Sequence, residues 1–178
     1  GVKLAEGDRV VSMSIIRHFE ADPAERVAYL KMRRAAMGAT EEEVETDEEE
    51  TAEAGALSPE RYAEMSAAED LILTITASGQ GKLSSSHDYP VRGRGGQGVK
   101  AISGGTRGGP LVACFPVEAG DQVMLATSTG QSIRCPIEGI SFRSRSAGGV
   151  KVFDTGADEV VVSVARIASE GDEDESEA

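Results

Sequence analysis

The sequence predicts a mainly β fold: a partial ring of propeller-like blades, interrupted by an insertion that is part helical and part disordered. Three observations predict it. A repeat recurs at an offset of 51 residues, 16 of the 21 glycines fall within residues 71–167, and two helix-start signals fall together in residues 17–69, outside the repeat. A period near 50 with short strands and glycine turns is the pattern of propeller-like arrays, in which each repeat is one supersecondary unit.

The repeat pairs Asp70-Leu-Ile-Leu-Thr-Ile-Thr-Ala-Ser-Gly79-Gln80 with Asp121-Gln-Val-Met-Leu-Ala-Thr-Ser-Thr-Gly130-Gln131. Asp, Thr, Gly and Gln recur identically, and apolar positions largely stay apolar. At the same offset Gly98-Val99-Lys100 meets Gly149-Val150-Lys151, and the apolar stretch 111–115 answers 161–165 after a one-residue slip. Strands are expected at 71–76 and 123–127. Each leads through a Gly turn into a second strand ending near Lys82 or Arg134, a hairpin signal. Gly1-Val2-Lys3 and the apolar stretch 10–13 match the end of a third copy, so a strand is expected near 10–15, beside an adjacent blade. The chain starts at Gly inside a repeat motif, which reads as a fragment of a longer protein.

Residues 17–69 break the pattern. Asp22-Pro23-Ala24-Glu25 supplies an N-cap, a Pro at the first helical position and a Glu that returns to the cap, predicting a helix over 23–37. Ser58-Pro59-Glu60 predicts a second, shorter one over 59–69. Between them, residues 41–53 hold nine acids in 13 positions. Such a run repels itself and buries nothing, so disorder is expected there. The resulting division is 1–16, the end of a preceding blade; 17–69, the insertion; 70–119 and 120–167, the penultimate and last blades; and 168–178, an acidic tail.

Net charge is −13, but it is segregated. Residues 1–70 hold eight basic and 18 acidic side chains, residues 71–167 hold ten and seven, and residues 168–178 hold none and six. A mildly basic block between acidic segments keeps nucleic acid open as a partner despite the overall sign. No apolar run is long enough for a membrane span. Cys114 and Cys135 lack metal-ligand or disulfide-framework spacing and read as free thiols in a reducing cytosol.

Several motifs reduce to plain structure. Gly93-Arg94-Gly95-Gly96-Gln97-Gly98 matches the dinucleotide fingerprint in letters, but strand-like residues 99–102 follow it where that site needs a helix. Its glycines and Arg92 and Arg94 suit phosphate contact better, because little side-chain bulk keeps backbone N–H groups accessible beside two guanidiniums. Ser84 to Asp88 contains Ser, His and Asp as neighbours, whereas a catalytic triad is assembled in space. Tyr62 reads as a helix-face aromatic. No catalytic residue and no metal ligand is expected.

The informative set is basic: Lys82, Arg92, Arg94, Lys100, Arg107, Arg134, Arg143, Arg145 and Lys151, mostly at expected strand ends and turns. Blades arrayed side by side would line these along one rim. Few aromatics accompany them, so stacking on single strands is disfavoured and phosphate contact on a duplex is expected.

The spaced residues Asp70, Gly79, Gly81, Lys82, Tyr89 and Gly93 to Val99, then Gly120, Asp121, Gly130, Ile133, Arg134, Gly149 and Val150, with the terminal strand and acidic tail, resemble the C-terminal domain of the DNA gyrase A subunit. The resemblance covers 1–16 and 70–178 and implies a β-pinwheel that wraps duplex DNA on its rim, so that the holoenzyme introduces negative supercoils. It implies a parent that is an ATP-dependent type II topoisomerase, an A2B2 complex in which a dimer of the gyrase A protein joins the gyrase B protein. That complex would be cytoplasmic and nucleoid-associated. ATP and Mg belong to that holoenzyme, and no cofactor is expected here. The family's Arg-rich box, Q-R-R-G-G-x-G, is present only as its half in Arg94 to Gly98, which implies weak wrapping by this stretch alone. The alternatives are a propeller-like protein-interaction module and the C-terminal domain of the topoisomerase IV A subunit.

Overall fold

The computed structural model describes residues 4–38, 57–96, 98–103 and 108–169. Two antiparallel sheets dominate. Strands β1 (Leu71–Thr76), β2 (Gln80–Ser85), β3 (Leu111–Val117) and β6 (Val150–Lys151) form one, in the order β3-β1-β2-β6. Strands β4 (Gln122–Thr127), β5 (Ser132–Pro136) and β7 (Val161–Ile167) form the other, in the order β5-β4-β7.

The two units are copies of one another in detail. The N–H of Gly79 donates to the Thr76 carbonyl at 3.0 Å and that of Gly130 to Thr127 at 3.1 Å. Ala77 N–H bonds Pro110 O, and Ser128 N–H bonds Val160 O, both at 2.9 Å. The outer strand slips register at Ile75/Thr76 in one sheet and at Ala126/Thr127 in the other. A 3-10 turn follows the second strand of each hairpin, at Ser86–Asp88 and Ile137–Gly139. The expected strands at 71–76 and 123–127 therefore occupy equivalent places.

Strand β6 crosses between the units. It follows the second hairpin in sequence but pairs with β2 of the first, Gln80 opposite Lys151 and Gly81 opposite Val150. This pairing needs glycine on both sides. A Cβ on Gly81 would lie 2.8 Å from Thr74 O, and one on Gly149 would lie 2.9 Å from Gly81 N. The same chain segment continues along β2 through Leu83, whose N–H donates to Ser141 O at 3.0 Å and whose carbonyl accepts from Arg143 N–H at 2.8 Å.

One apolar core joins the sheets, with Leu73, Ile75 and Leu83 from the first and Val123, Leu125 and Val161 from the second, closed by Ile137, Phe142 and Phe153. Each such side chain contributes about 1.5–3 kcal/mol on burial. With no Trp and few aromatics, aliphatic residues supply most of it.

The described parts of the insertion form two helices that share a small core of their own. Helix α1 (Pro23–Ala36) carries the full capping box, with Asp22 accepting from Glu25 N–H at 2.8 Å and Glu25 accepting from Asp22 N–H at 3.0 Å. Helix α2 (Pro59–Ala67) is capped by Ser58. Tyr29, Leu30 and Met65 are buried between them, and His87 of the first unit meets Tyr29 edge-on at 5.1 Å. No helix among the described residues is long and apolar enough to cross a membrane.

Residues 10–15 differ from expectation. They join no ladder and are tied to the first sheet by a bond from the Ser12 hydroxyl to Cys114 O at 3.2 Å. Met13 and Ile15 are 90% and 91% exposed. The reason is that each hairpin in the chain already holds its own outer strand, β3 or β7, so this third outer-strand sequence has no hairpin to pair with.

Candidate nucleic-acid interface

The expected basic residues divide into an exposed set and a buried set. Lys82 and Arg145 are corrections. Lys82 is 0% exposed, and its ammonium donates to the carbonyls of Ser144, Arg145 and Ala147. Its three N–H groups thus meet three backbone acceptors, and none is left for a phosphate. Arg145 is 6% exposed. Its Nε donates to Asp88 O at 2.8 Å, its guanidinium also reaches Lys100 O, and its backbone N–H donates to the Asp88 carboxylate at 2.7 Å. Burial pushes the Lys82 pKa down to about 7, opposed by Asp88 and helped by Arg145 and Arg143.

These two cations are the scaffold of the surface outside them. Lys82 holds residues 144–147 against β2, and Arg145 ties that stretch to Asp88 on one side and to Lys100 on the other. A bridge between Ser103 and Gly148 extends the layer. The segments 98–103 and 142–151 therefore lie together beyond the edge of β2. Lys100 and Lys151 stand exposed on them, and Arg143 is half-buried. Lys151 pairs with Asp154 at 2.9 Å, both well exposed, a contact worth little in water.

Arg92 and Arg94 are exposed on the loop that leaves Asp88 and Tyr89, and Gly95 in that loop takes φ +79°. Arg134 is exposed on β5 of the other sheet, where its Nε donates to Gln122. It is not in the layer beside β2. Arg107 lies outside the described residues, as do 41–53 and the acidic residues of the tail. The stretch 99–102, expected to be strand-like, joins no ladder; only Ser103 makes a bridge.

The rejected motifs have structural roles. A His87 ring nitrogen lies 2.8 Å from Met65 O, Ser86 Oγ accepts from Asp70 N–H at 3.0 Å, and Ser85 Oγ caps His87 N–H. Tyr62 packs on Tyr29 with ring centroids 5.1 Å apart.

Sequence reading missed the carboxylates that organise the connections between units. Asp121 is fully buried and accepts from Glu118 N–H at 2.7 Å, Ser169 N–H at 3.1 Å and Arg166 Nε. Asp70 accepts from the N–H of Arg17 at 2.7 Å and from its Nε at 2.8 Å. The recurrence of Asp at the head of each repeat was the available signal.

Comparison with known proteins agrees with this architecture. The family described as DNA gyrase C-terminal domain, beta-propeller, matches residues 1–17, 70–118 and 121–168.

The chain belongs to that family.

The match to the gyrase C-terminal domain family omits 18–69, which carry both helices and the acidic run. The Granulibacter bethesdensis relative, a DNA gyrase A subunit, is 48% identical over 174 residues, covering 92% of this chain and 18% of that protein. The Rickettsia bellii relative, also a DNA gyrase A subunit, is 35% identical over 182 residues, covering all of this chain and 19% of that protein. The chain thus spans less than a fifth of these relatives' length. A solved DNA gyrase A C-terminal domain overlays with a TM-score of 0.51 at 20% identity, covering 55% of this chain and 33% of that one. The C-terminal domain of a DNA topoisomerase IV overlays equally, with a TM-score of 0.51 at 19% identity, covering 56% and 31%. Both likenesses speak to fold.

Proposed function

We propose that this chain is a non-catalytic DNA-wrapping module of a type II topoisomerase, and that it holds duplex DNA by its phosphates on the exposed basic layer beside β2. The observation that carries the reading is the gathering of Lys100, Arg143 and Lys151 on one layered edge, with Arg92 and Arg94 on the adjoining loop, in a chain of the gyrase C-terminal domain family. Arg134 on the second sheet, with Arg107, would extend the path. Aromatic side chains are absent from the named contacts, so the duplex is held by its backbone with little base readout.

Units 70–119 and 120–167 act as consecutive blades in this reading, with 1–16 ending a third. Wrapping fixes the hand of a DNA crossing, and strand passage through that crossing introduces negative supercoils. The ATP- and Mg-dependent steps fall to the rest of the gyrase A protein and to the gyrase B protein, in an A2B2 complex on the cytoplasmic nucleoid.

Fluorescence anisotropy with two duplexes of unrelated sequence tests the proposal. If about five phosphates are neutralised, log K falls with log salt at a slope of about −4.5, equal for the two sequences. Binding only to a basic protein partner, with no duplex affinity at low salt, would favour the interaction-module alternative.

A further inference from the structure

We propose that helix α1 of the insertion adds a second set of phosphate contacts, Arg26 and Arg34, to the duplex path; the inference rests on the DNA reading above. The placement of α1 argues for it. Near its N-terminus, Arg26 lines a cleft of about 190 Å³ together with His18, Phe19, Tyr89 and Val91. Val91 immediately precedes Arg92 and the exposed loop of Arg94. Near its C-terminus, the Arg33 guanidinium lies over the Phe142 ring, 5.6 Å from its centroid, and Phe142 immediately precedes Arg143. The two ends of the helix thus lie near Val91 and Phe142, the residues that precede Arg92 and Arg143.

The helix turns about 100° per residue, which places Arg26, Arg33 and Arg34 within about one quarter to one third of its circumference. Arg33 is committed to Glu69, at 2.8 Å. Arg26 and Arg34 form no ion pair with a described residue, and both are half-buried. In the cleft, Arg17 is already engaged by Asp70 and by the carbonyls of Ala67 and Glu69. Arg26 is thus the cation there that a phosphate would meet. The cleft holds about six water volumes, enough for a phosphodiester group.

The test compares three full-length variants by duplex anisotropy across a salt series: Arg26→Gln/Arg34→Gln, Arg26→Lys/Arg34→Lys, and Arg92→Glu/Arg94→Glu. Thermal melts establish that each is folded. The Gln pair is expected to lower the steepness of log K against log salt by about 1.8 and to weaken binding roughly tenfold or more at 0.1 M salt. The Lys pair retains charge and is expected to restore most of both. If the Gln pair binds as the unmodified chain does, while the Arg92/Arg94 reversal weakens binding, the contribution of α1 is overturned and the DNA reading stands. If the unmodified chain shows no duplex binding, the DNA reading fails, and the α1 contacts fail with it. If the Gln and Lys pairs weaken binding equally with an unchanged slope, α1 acts structurally and the phosphate contacts are refuted.

Discussion

The backbone N–H of Arg17 donates to the carboxylate of Asp70 at 2.7 Å, although residues 18–69 lie between them. The same bond, at the same 2.7 Å, runs from Glu118 N–H to Asp121 across three positions of a tight turn. Residues 18–69 thus stand where Ala119 and Gly120 stand in the other connection, with the same closing bond kept. Replacing residues 18–69 by Ala-Gly should therefore preserve both sheets. Far-UV circular dichroism and urea unfolding should show the β signal and a single cooperative transition, with stability reduced through the exposure of Phe142 and His87. Loss of cooperative unfolding would mean that the insertion is integral to the sheets.

Asp121 should link stability to acid pH. Its burial raises its pKa, but the N–H of Glu118, the Arg166 guanidinium and the N–H of Ser169 together hold it below the usual carboxylate value. A folded-state pKa below the unfolded one gives stability that is present above about pH 4 and is lost as pH falls through the depressed value. The urea midpoint of the unmodified chain should drop between pH 5 and pH 2 more than that of Asp121→Asn. At neutral pH, Asp121→Ala should cost about 1–3 kcal/mol or more, because buried donors lose their acceptor.

Lys82 predicts a second rise of stability with pH, in the alkaline range. Its folded pKa of about 7 lies below the unfolded value of 10.5. The unfolded chain then binds more protons between those values, so stability rises with pH from about 7 to about 10.5 and gains nothing from this group below 7. The difference in melting temperature between the unmodified chain and Lys82→Met should change across that window. Lys82→Met should also destabilise at every pH, by about 2–5 kcal/mol, since the carbonyls of Ser144, Arg145 and Ala147 lose their donors. A pH-independent difference would show that the ammonium keeps its proton throughout.

The acidic tail should compete with DNA. A ten-residue chain reaches at most about 36 Å when extended, and tethering keeps its six carboxylates at high local concentration near the last blade. Deleting 169–178 should tighten duplex binding at low salt, with the gain shrinking as the Debye length falls. Unchanged affinity at low ionic strength would leave the tail a solubilising role alone.

Much of the architecture was legible in the residues themselves. The hairpins were readable because Asp, Thr, Gly and Gln recur at the positions that set the turn: Thr76 and Thr127 each bond the carbonyl four residues on, and Gly79 and Gly130 each take positive φ. The helices were readable because Asp22 and Ser58 are local caps followed by Pro. What stayed hidden was non-local. β6 leaves its own unit to pair with β2, so β2 is covered along an edge that its own hairpin leaves open. Lys82 and Arg145 look like surface cations in sequence, and that crossing segment is what encloses them. Likewise, the apolar stretch at 10–15 carries a strand pattern, but pairing depends on a hairpin located elsewhere.

The central claim is that the basic layer beside β2 and the adjoining loop of Arg92 and Arg94 hold duplex phosphates without reading sequence. The most direct measurement is the duplex affinity of Arg92→Glu/Arg94→Glu, by fluorescence anisotropy at low salt on two unrelated sequences. The account predicts weaker binding by the same factor on both sequences, with a shallower dependence on salt than in the unmodified chain. Affinity equal to that of the unmodified chain, or a loss confined to one sequence, would contradict it.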